Sequence, residues 1–320
     1  MSELLHLEGI IPDESAGLRL DQALAQLFPD YSRGQLSKWI KAGDVSVDTK
    51  QLRPRDAVSG GEAIIISAQI EVVDDRWTAE EIQLDIIHED DEVIILNKPA
   101  GMVVHPGAGN HDGTLVNALL HHAPQLETIP RAGIVHRIDK GTTGLLMIAK
   151  TLRAHNSLVN QLQEHTVLRE YQAITMGVMT AGGTVDEPVG RHPVDRKRQA
   201  VIGAGKHAIT HYRVEHRYRA HSHIRCQLET GRTHQIRVHM AHIRYPLLGD
   251  PVYGGRIRLP KGANEQTIEI LQGFRRQALH AGVLGFIHPA TEQEVSWKID
   301  IPNDMQTILT ALTKDQKENN

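Results

Sequence analysis

The sequence predicts an α+β protein in two units, a small one of two helices and short strands, then a large one of mixed strands and helices. Three observations lead there. Near the N-terminus two amphipathic segments run straight into short β-branched stretches. Beyond residue 86, strand-like and helix-like segments mix without the regular alternation of a βαβ fold. The length of 320 residues is room for two domains, or for one large domain with an appendage.

Charge is the next constraint. The net charge of −4 averages two unlike regions. Residues 131–280 hold 23 Lys+Arg against 11 Asp+Glu, a balance of +12, while the rest of the chain stands at −16. Thirteen of the 20 histidines fall in the same basic stretch. A basic surface on an acidic body suits a polyanionic partner. Arginines spread over all faces would give the same count, so the motifs have to decide.

Other bounds are simple. A hydrophobic content of 40% and a charged content of 23% are ordinary for a soluble protein. No apolar run approaches the roughly 18 residues of a membrane span, and MSELLHLEGI lacks the basic, apolar character of a secretory leader. The single cysteine, Cys226, allows no internal disulfide and fits a reducing compartment. The expectation is a cytoplasmic, monomeric protein without membrane contact.

Residues 1–16 read as an N-terminal extension. Leu20, Ala23, Leu24 and Leu27 then follow the spacing of one helix face, with Pro29 beyond its end. Ser32 and Gln35 read as a capping box, and Leu36, Trp39 and Ile40 form a second stripe closed by Gly43. Arg33, Lys38 and Lys41 surround that second helix off its stripe. "VSV" and "AIII" finish the unit as strands. "RLDQAL", "SRGQLSKWIKAGDVSV" and "GGEAIII" together resemble an S4-type RNA-binding domain, here assigned to residues 17–75. The resemblance implies that Arg33, Lys38 and Lys41 meet RNA phosphates, which position a complex without reading its sequence. An ordinary helical hairpin with solvated lysines is the bland alternative. The pattern departs at Asp48-Thr49-Lys50, which stands where an Asn-Gly turn is expected.

Residues 76–85 read as an acidic linker, and residues 86–305 as the large domain. Within it "VIIL" and "LLMIA" (145–149) read as buried strands, "REYQAITMGVM" and "HIRCQLET" (223–230) as further strands, and 154–165 and 234–243 as helices. Residues 306–320, ending in TKDQKENN, read as a polar, frayed tail.

The segment VHRIDKGTTGLLMIAK places one acid, Asp139, among His136, Arg137 and Lys140 at the mouth of a core strand. Opposite charge nearby keeps a carboxylate ionised, and an enclosed carboxylate can act as nucleophile, base or electrostatic stabiliser. A structural salt bridge is the plain alternative. Gly141 and Gly144 read as a flexible loop around the acid.

"HRIDKGTTG" resembles the catalytic motif of the RluA family of pseudouridine synthases, with Ile138 for Leu and Thr143 for Ser. "LNKPAGMVVHP", "LREYQAITMG", "LETGRTHQIRVHMAHIRYPLLGDPVYGG" and "RRQALHAGVLGFIHP" follow the family's order, so the resemblance spans 82 to about 302. "MTAGGTVDEPVGRHP" and "RLPKGANE" look most like the synthase D type that the family directs at the large ribosomal subunit. The resemblance implies a mainly antiparallel sheet and an RNA pseudouridine synthase without cofactor or metal, because the reaction neither adds nor removes atoms. It implies 23S rRNA, or a large-subunit particle, as partner, with the stem-loop called helix 69 as target.

The roles follow from the same resemblance. Asp139 is the nucleophile, attacking the sugar or assisting departure of the base. Tyr171 stacks on the base or takes the C5 proton. Arg237 pairs with Asp139, with Arg232 as its rival. Arg137 fills the gap left by a flipped uridine or holds its phosphate, and His136 supports the loop on the RNA-binding side. His221, His223, His239 and His242 lack a metal-binding pattern and read as RNA-facing or structural. A tRNA-directed synthase, a non-catalytic assembly factor and a hydrolytic nucleosidase are the competing readings.

Overall fold

The computed structural model describes residues 2–29, 31, 33–71, 77–107, 110–195 and 198–319. The chain divides into two compact units, Met1–Arg76 and Trp77–Asn320.

In the first unit, β1 (Ser2–Ile10) precedes α1 (Leu20–Leu27), α2 (Arg33–Ala42), β2 (Val45–Val47) and β3 (Ala63–Glu71). The strands form an antiparallel sheet in the order β1-β3-β2. The two helical stripes bury Leu20, Ala23, Leu24, Leu36, Trp39 and Ile40 against Val45, Val47, Ile64 and Ile66. Each large side chain removed from water this way contributes about 1.5–3 kcal/mol before entropy is counted. Residues 1–16 are therefore no extension. Leu5 and Leu7 face the core while His6 and Glu8 face out, the two-residue period of a half-buried strand. Ser32, half of the expected capping box, lies outside the described residues.

The unexpected DTK turn keeps hairpin geometry. Val47 and Lys50 exchange backbone hydrogen bonds of 2.8 Å, with Asp48 and Thr49 both left-handed at φ 46° and 69°. Two positive φ values are what a tight two-residue hairpin demands. Asp48 tolerates this and also accepts the Ala63 N–H through Oδ1 at 2.9 Å; β-branched Thr49 is strained.

Residues 77–85 are not a free linker. The Asn117 side chain donates to Thr78 O at 2.7 Å, Glu80 accepts the Gly113 N–H, and Leu84 packs on the main core. The strip is laid along the second unit; residues 72–76 lie outside the described ones.

The second unit runs through strands β4 (Ile86–Glu89), β5 (Val93–Lys98), β6 (Thr143–Ala149), β7 (Leu168–Met176), β8 (Gly183–Asp186), β9 (Val189–Arg191), β10 (Gln199–Val201), β11 (Ile209–Arg217), β12 (His221–Leu228), β13 (Leu279–Ile287) and β14 (Glu294–Lys298). Nine of these form one sheet in the order β4-β5-β6-β13-β7-β12-β11-β8, with β14 also paired to β13, and β9–β10 make a separate hairpin. Every pairing is antiparallel except a two-residue parallel contact between β6 and β13. Helices α3 (Leu115–His122), α4 (Leu152–Gln163), α5 (Gln235–His242), α6 (Glu265–Gly273) and α7 (Asn303–Glu318) complete it. All seven residues of β6 are buried, so both of its faces are covered.

The polar tail is also overturned. Met305, Ile308, Leu309 and Leu312 follow helical spacing and pack on Leu271, Ile174 and Met176, while buried Asp315 accepts from Arg219 at 3.0 Å. Polar residues between those positions hide the stripe from a composition-based reading.

Candidate active site

The loop before β6 is clamped on three sides, so the loop expected to be flexible is closely packed. Gly144 sits at φ +116°, and a Cβ there would lie 2.3 Å from Ala281 O; only glycine admits the β6–β13 contact. A Cβ on Gly141 would meet Gln277 Oε1 at 2.7 Å, and Gln277 Nε2 donates to Thr142 Oγ1 at 3.0 Å. His136 Nε2 accepts the Met147 N–H at 3.1 Å, tying the start of the loop to β6. Burial pulls the His136 imidazole down to about 3, with the charge of Arg169 adding to the fall. It is a neutral brace at physiological pH.

Beneath the loop lies Lys98, wholly buried at the end of β5. Its ammonium donates to Pro99 O (2.7 Å), Met102 O (2.9 Å) and Lys140 O (3.2 Å). Burial lowers its pKa to about 8, and the negative charge of Asp139 opposes that fall.

The bases adjacent in sequence are not the ones that hold Asp139. Arg137 is exposed, and Lys140 reaches instead toward Asn110 Oδ1 at 3.3 Å. The partner is Arg237 on α5, whose Nη1 donates to Asp139 Oδ2 at 2.9 Å. Arg232, the rival, donates Nε to His207 O at 3.0 Å. Arg237 is itself gripped by Asp250: Nε donates to Oδ2 at 2.7 Å and Nη2 to Oδ1 at 2.9 Å. Asp250 Oδ1 further accepts the Val252 and Tyr253 N–H groups. Burial alone would depress the Arg237 guanidinium; the two carboxylates outweigh it and raise it. Burial likewise pushes Asp250 up, but bonds from Arg237 and the two N–H groups leave it below its ordinary value. Two of the three guanidinium nitrogens are thus held in a bidentate fork by Asp250, which aims the third, Nη1, at Asp139.

Helix α5 is placed by Gln235, whose Oε1 accepts from the Arg232 N–H and Thr230 Oγ1 while Nε2 donates to Ile209 O. His234, left-handed at φ 59°, precedes it with Nε2 3.9 Å from Asp139 Oδ1 and Nδ1 2.8 Å from Tyr253 Oη. Asp139 therefore has Oδ2 held by Arg237, while Oδ1 takes no hydrogen bond among the described residues and has His234 Nε2 as its neighbour at 3.9 Å. Asp139 lines a cavity of about 850 Å³ together with Tyr171, Arg137, Arg169, Arg232 and Arg237 among others. Its size suits one nucleotide. Tyr171, on β7, presents its ring to it. Burial, with Asp139 adding and Arg169 opposing, pushes the phenol up to about 12, so Tyr171 is neutral at physiological pH.

The sequence model of the family described as RNA pseudouridylate synthase matches residues 92–242, and that of the S4 domain matches residues 18–64. Over 317 residues, 99% of each chain, the sequence is 52% identical to ribosomal large subunit pseudouridine synthase D of Pseudomonas aeruginosa. It is 51% identical to the Escherichia coli K12 protein of that name, over 99% of this chain and 98% of that one. The chain belongs to the RNA pseudouridylate synthase family. It is an isomerase with an S4 RNA-binding domain in front. The solved structure of human RNA pseudouridylate synthase domain containing 4 matches with a TM-score of 0.56 and 27% identity, covering 72% of this chain and 93% of that one. Human RNA pseudouridylate synthase domain containing 1, at 21% identity and TM-score 0.53, covers 73% of this chain and 96% of that one and shares the fold.

In this synthase, Asp139, Tyr171, Arg237, Arg137 and Arg232 converge on one cavity, with His136 in its wall. Lys38 and Lys41 are exposed on α2 of the S4 domain. Arg33 donates Nη2 to both oxygens of Asp21 at 3.1 Å, beside Arg19. His239 is committed to Thr210 Oγ1 and Glu187 O, each at 2.9 Å. Sequence reasoning missed Asp250, His234, Lys98 and Arg169. The first three stand in the quoted "GDPVYGG", "GRTHQIR" and "LNKPAG" stretches, where a fixed acid or base amid glycine and proline was the available signal; Arg169 stands in the quoted "LREYQAITMG", two residues before Tyr171.

Proposed function

We propose that this synthase isomerises uridines of 23S ribosomal RNA, in the helix 69 stem-loop, with Asp139 as the nucleophile. The observation that carries the mechanism is the asymmetric grip on a carboxylate that lines the cavity: Arg237 holds Oδ2 at 2.9 Å, and Oδ1 takes no hydrogen bond among the described residues. The target uridine leaves its stack and enters beside Tyr171. The C1′–N1 bond breaks with its electron pair passing to the base. The carboxylate meets the positive character growing at C1′, as in glycoside chemistry. The base turns, C5 bonds to C1′, C5 loses its proton, and N1 gains one, so no atom is added or lost. A phenol near 12 is a poor base at neutral pH, which favours Tyr171 as the stacking surface. Arg137, exposed at the cavity, is suited to a phosphate or to the gap left in the stem.

The ribosomal target rests on the high identity to proteins named for the large subunit. We extend it to cytoplasmic action by a monomer, on free RNA or an assembling particle. The test maps pseudouridine in ribosomal and transfer RNA from cells lacking the protein, complemented with the native chain or Asp139→Ala. Native-dependent pseudouridines in helix 69, absent with Asp139→Ala, are expected. Changes confined to tRNA would move the substrate; none anywhere would favour a non-catalytic factor.

A further inference from the structure

Most glycoside-cleaving sites pair their nucleophile with a second carboxyl that protonates the leaving group. Here Asp139 is the only carboxylate among the described residues that line the cavity. Something else must accommodate the charge that arrives on the base when C1′–N1 breaks.

Arg169 is placed to do it. It lies two residues before Tyr171 on β7, so both side chains leave the same face of the strand. Its side chain lines the cavity yet is only 6% exposed. Nη2 donates to Glu229 O at 2.8 Å, which fixes the guanidinium plane. Nε is buried and has no hydrogen-bond partner among the described residues, and no carboxylate there pairs with the group. Room for Nη1 is made by Gly231, where an added Cβ would approach it to 2.8 Å. A buried cation left without a counter-ion is costly to hold, and such cost concentrates at functional sites. Arg237, by contrast, is paired with two carboxylates.

We infer that Arg169 is a further catalytic residue, whose guanidinium binds a carbonyl oxygen of the uracil and stabilises the anion released when the C1′–N1 bond breaks. This rests on the reading of Asp139 as the group that cleaves a uridine. The electron pair from C1′–N1 spreads over N1, the two carbonyl oxygens and C5. A fixed, buried guanidinium stabilises such charge strongly, and needs no reorganisation when it appears. It cannot quench the anion by full proton transfer, so C5 stays nucleophilic for the rejoining step. Depth favours base over phosphate: Arg137 at the cavity is exposed and Arg232 half-buried, whereas Arg169 sits beside the ring of Tyr171.

The experiment compares one stem-loop RNA carrying uridine or 5-fluorouridine at the target position. Loss of the original nucleoside is followed under single-turnover conditions at saturating protein. Fluorine withdraws electrons and stabilises the departing anion by itself. Arg169→Gln should slow the uridine RNA by roughly 100-fold or more, with RNA affinity within about threefold of native. On the fluorinated RNA the same variant's defect should shrink by about tenfold, and Arg169→Lys should recover part of the rate. An equal defect on both RNAs, a rate near native, or an affinity loss matching the rate loss would overturn the assignment. Both RNAs see the same protein, so a folding defect appears as an equal loss. Failure of the native chain to consume uridine, or persistence of consumption in Asp139→Ala, would strike the underlying reading instead.

Discussion

Each unit joins arginine to a carboxylate, and the two arrangements are built differently. In the S4 domain, Asp21 receives Arg19 and Arg33 from positions 2 and 12 residues away, and both guanidinium groups are about half exposed. In the catalytic domain, Arg237 reaches Asp139 across 98 residues of sequence and is 5% exposed. In the first arrangement the acid is buried but each guanidinium is half in water, and either arginine can hold Asp21 without the other. The second exists only because β6 and α5 converge on one cavity, and its guanidinium is buried. Surface pairs are worth ~0–1 kcal/mol, whereas removing one partner of a buried pair costs ~3–5 kcal/mol. On the roles proposed above, charge that positions chemistry is held by long-range fold, and charge that meets a polyanion stays at the surface.

The same substitution in the two places breaks this comparison most directly. Arg237→Met leaves Asp250 buried with only backbone donors and Asp139 unheld. It should cost roughly 3–5 kcal/mol of stability and about 100-fold or more in turnover. Arg33→Met should cost ~1 kcal/mol at most and leave turnover on bound RNA unchanged. Denaturant unfolding with single-turnover kinetics measures both; equal penalties would erase the distinction.

Acid should also separate the units. Burial pulls His136, His221 and His280 down to about 3, 4 and 4, with Arg169, Arg258 and Arg276 each adding repulsion. Each histidine takes a proton near pH 6.5 once unfolded, so the unfolded chain binds more protons below that pH. Catalytic-domain stability should therefore fall from about pH 6.5 toward pH 4, by up to ~1.4 kcal/mol per unit for each histidine. Asp90, lowered to about 2 because hydrogen bonds from His88, His288 and two backbone N–H groups outweigh burial, adds its loss only below the ordinary carboxylate range. The S4 domain contains a single histidine, exposed His6. Hydrogen exchange at β6 and β7 should rise between pH 7 and 5, after correction for intrinsic rates, while that at α1 and β3 stays flat.

Lys38 and Lys41 test the surface side. Replacing both with Ala should reduce the log–log salt slope of RNA affinity by about 1.4, if each meets one phosphate of a single strand. Turnover of bound RNA should not change. The smallest effect belongs to Thr49, at φ 69°. Thr49→Gly should stabilise the S4 domain by about 1 kcal/mol, read as a shift of its unfolding midpoint.

What could be read in the sequence divides along the same line. The stripes of α1 and α2 are local periodicities, and their buried residues are the expected ones. β1 was hidden because only Leu5 and Leu7 mark its inner face, and α7 because a polar majority covers a four-residue stripe. Asp139 stood out as a lone acid in a motif, but its adjacent bases point elsewhere. Successive residues of an extended loop face different ways, so nearness in sequence pointed to Arg137 and Lys140, while the family resemblance had pointed to Arg237, which is the residue found there. Gly141 and Gly144 looked like freedom and are close approach. Asp250 and Lys98 act through contacts that no local pattern encodes, and Arg169 looked like any strand arginine until its missing partner could be seen.

The central claim is that the gripped carboxylate of Asp139 drives uridine isomerisation. The direct measurement is tritium release from 23S RNA labelled at uracil C5, with the native chain and with Asp139→Asn, which keeps the shape and removes the charge. The account predicts release by the native chain and none by the variant, with both folded and binding RNA equally. Release by Asp139→Asn at a rate near native would contradict it.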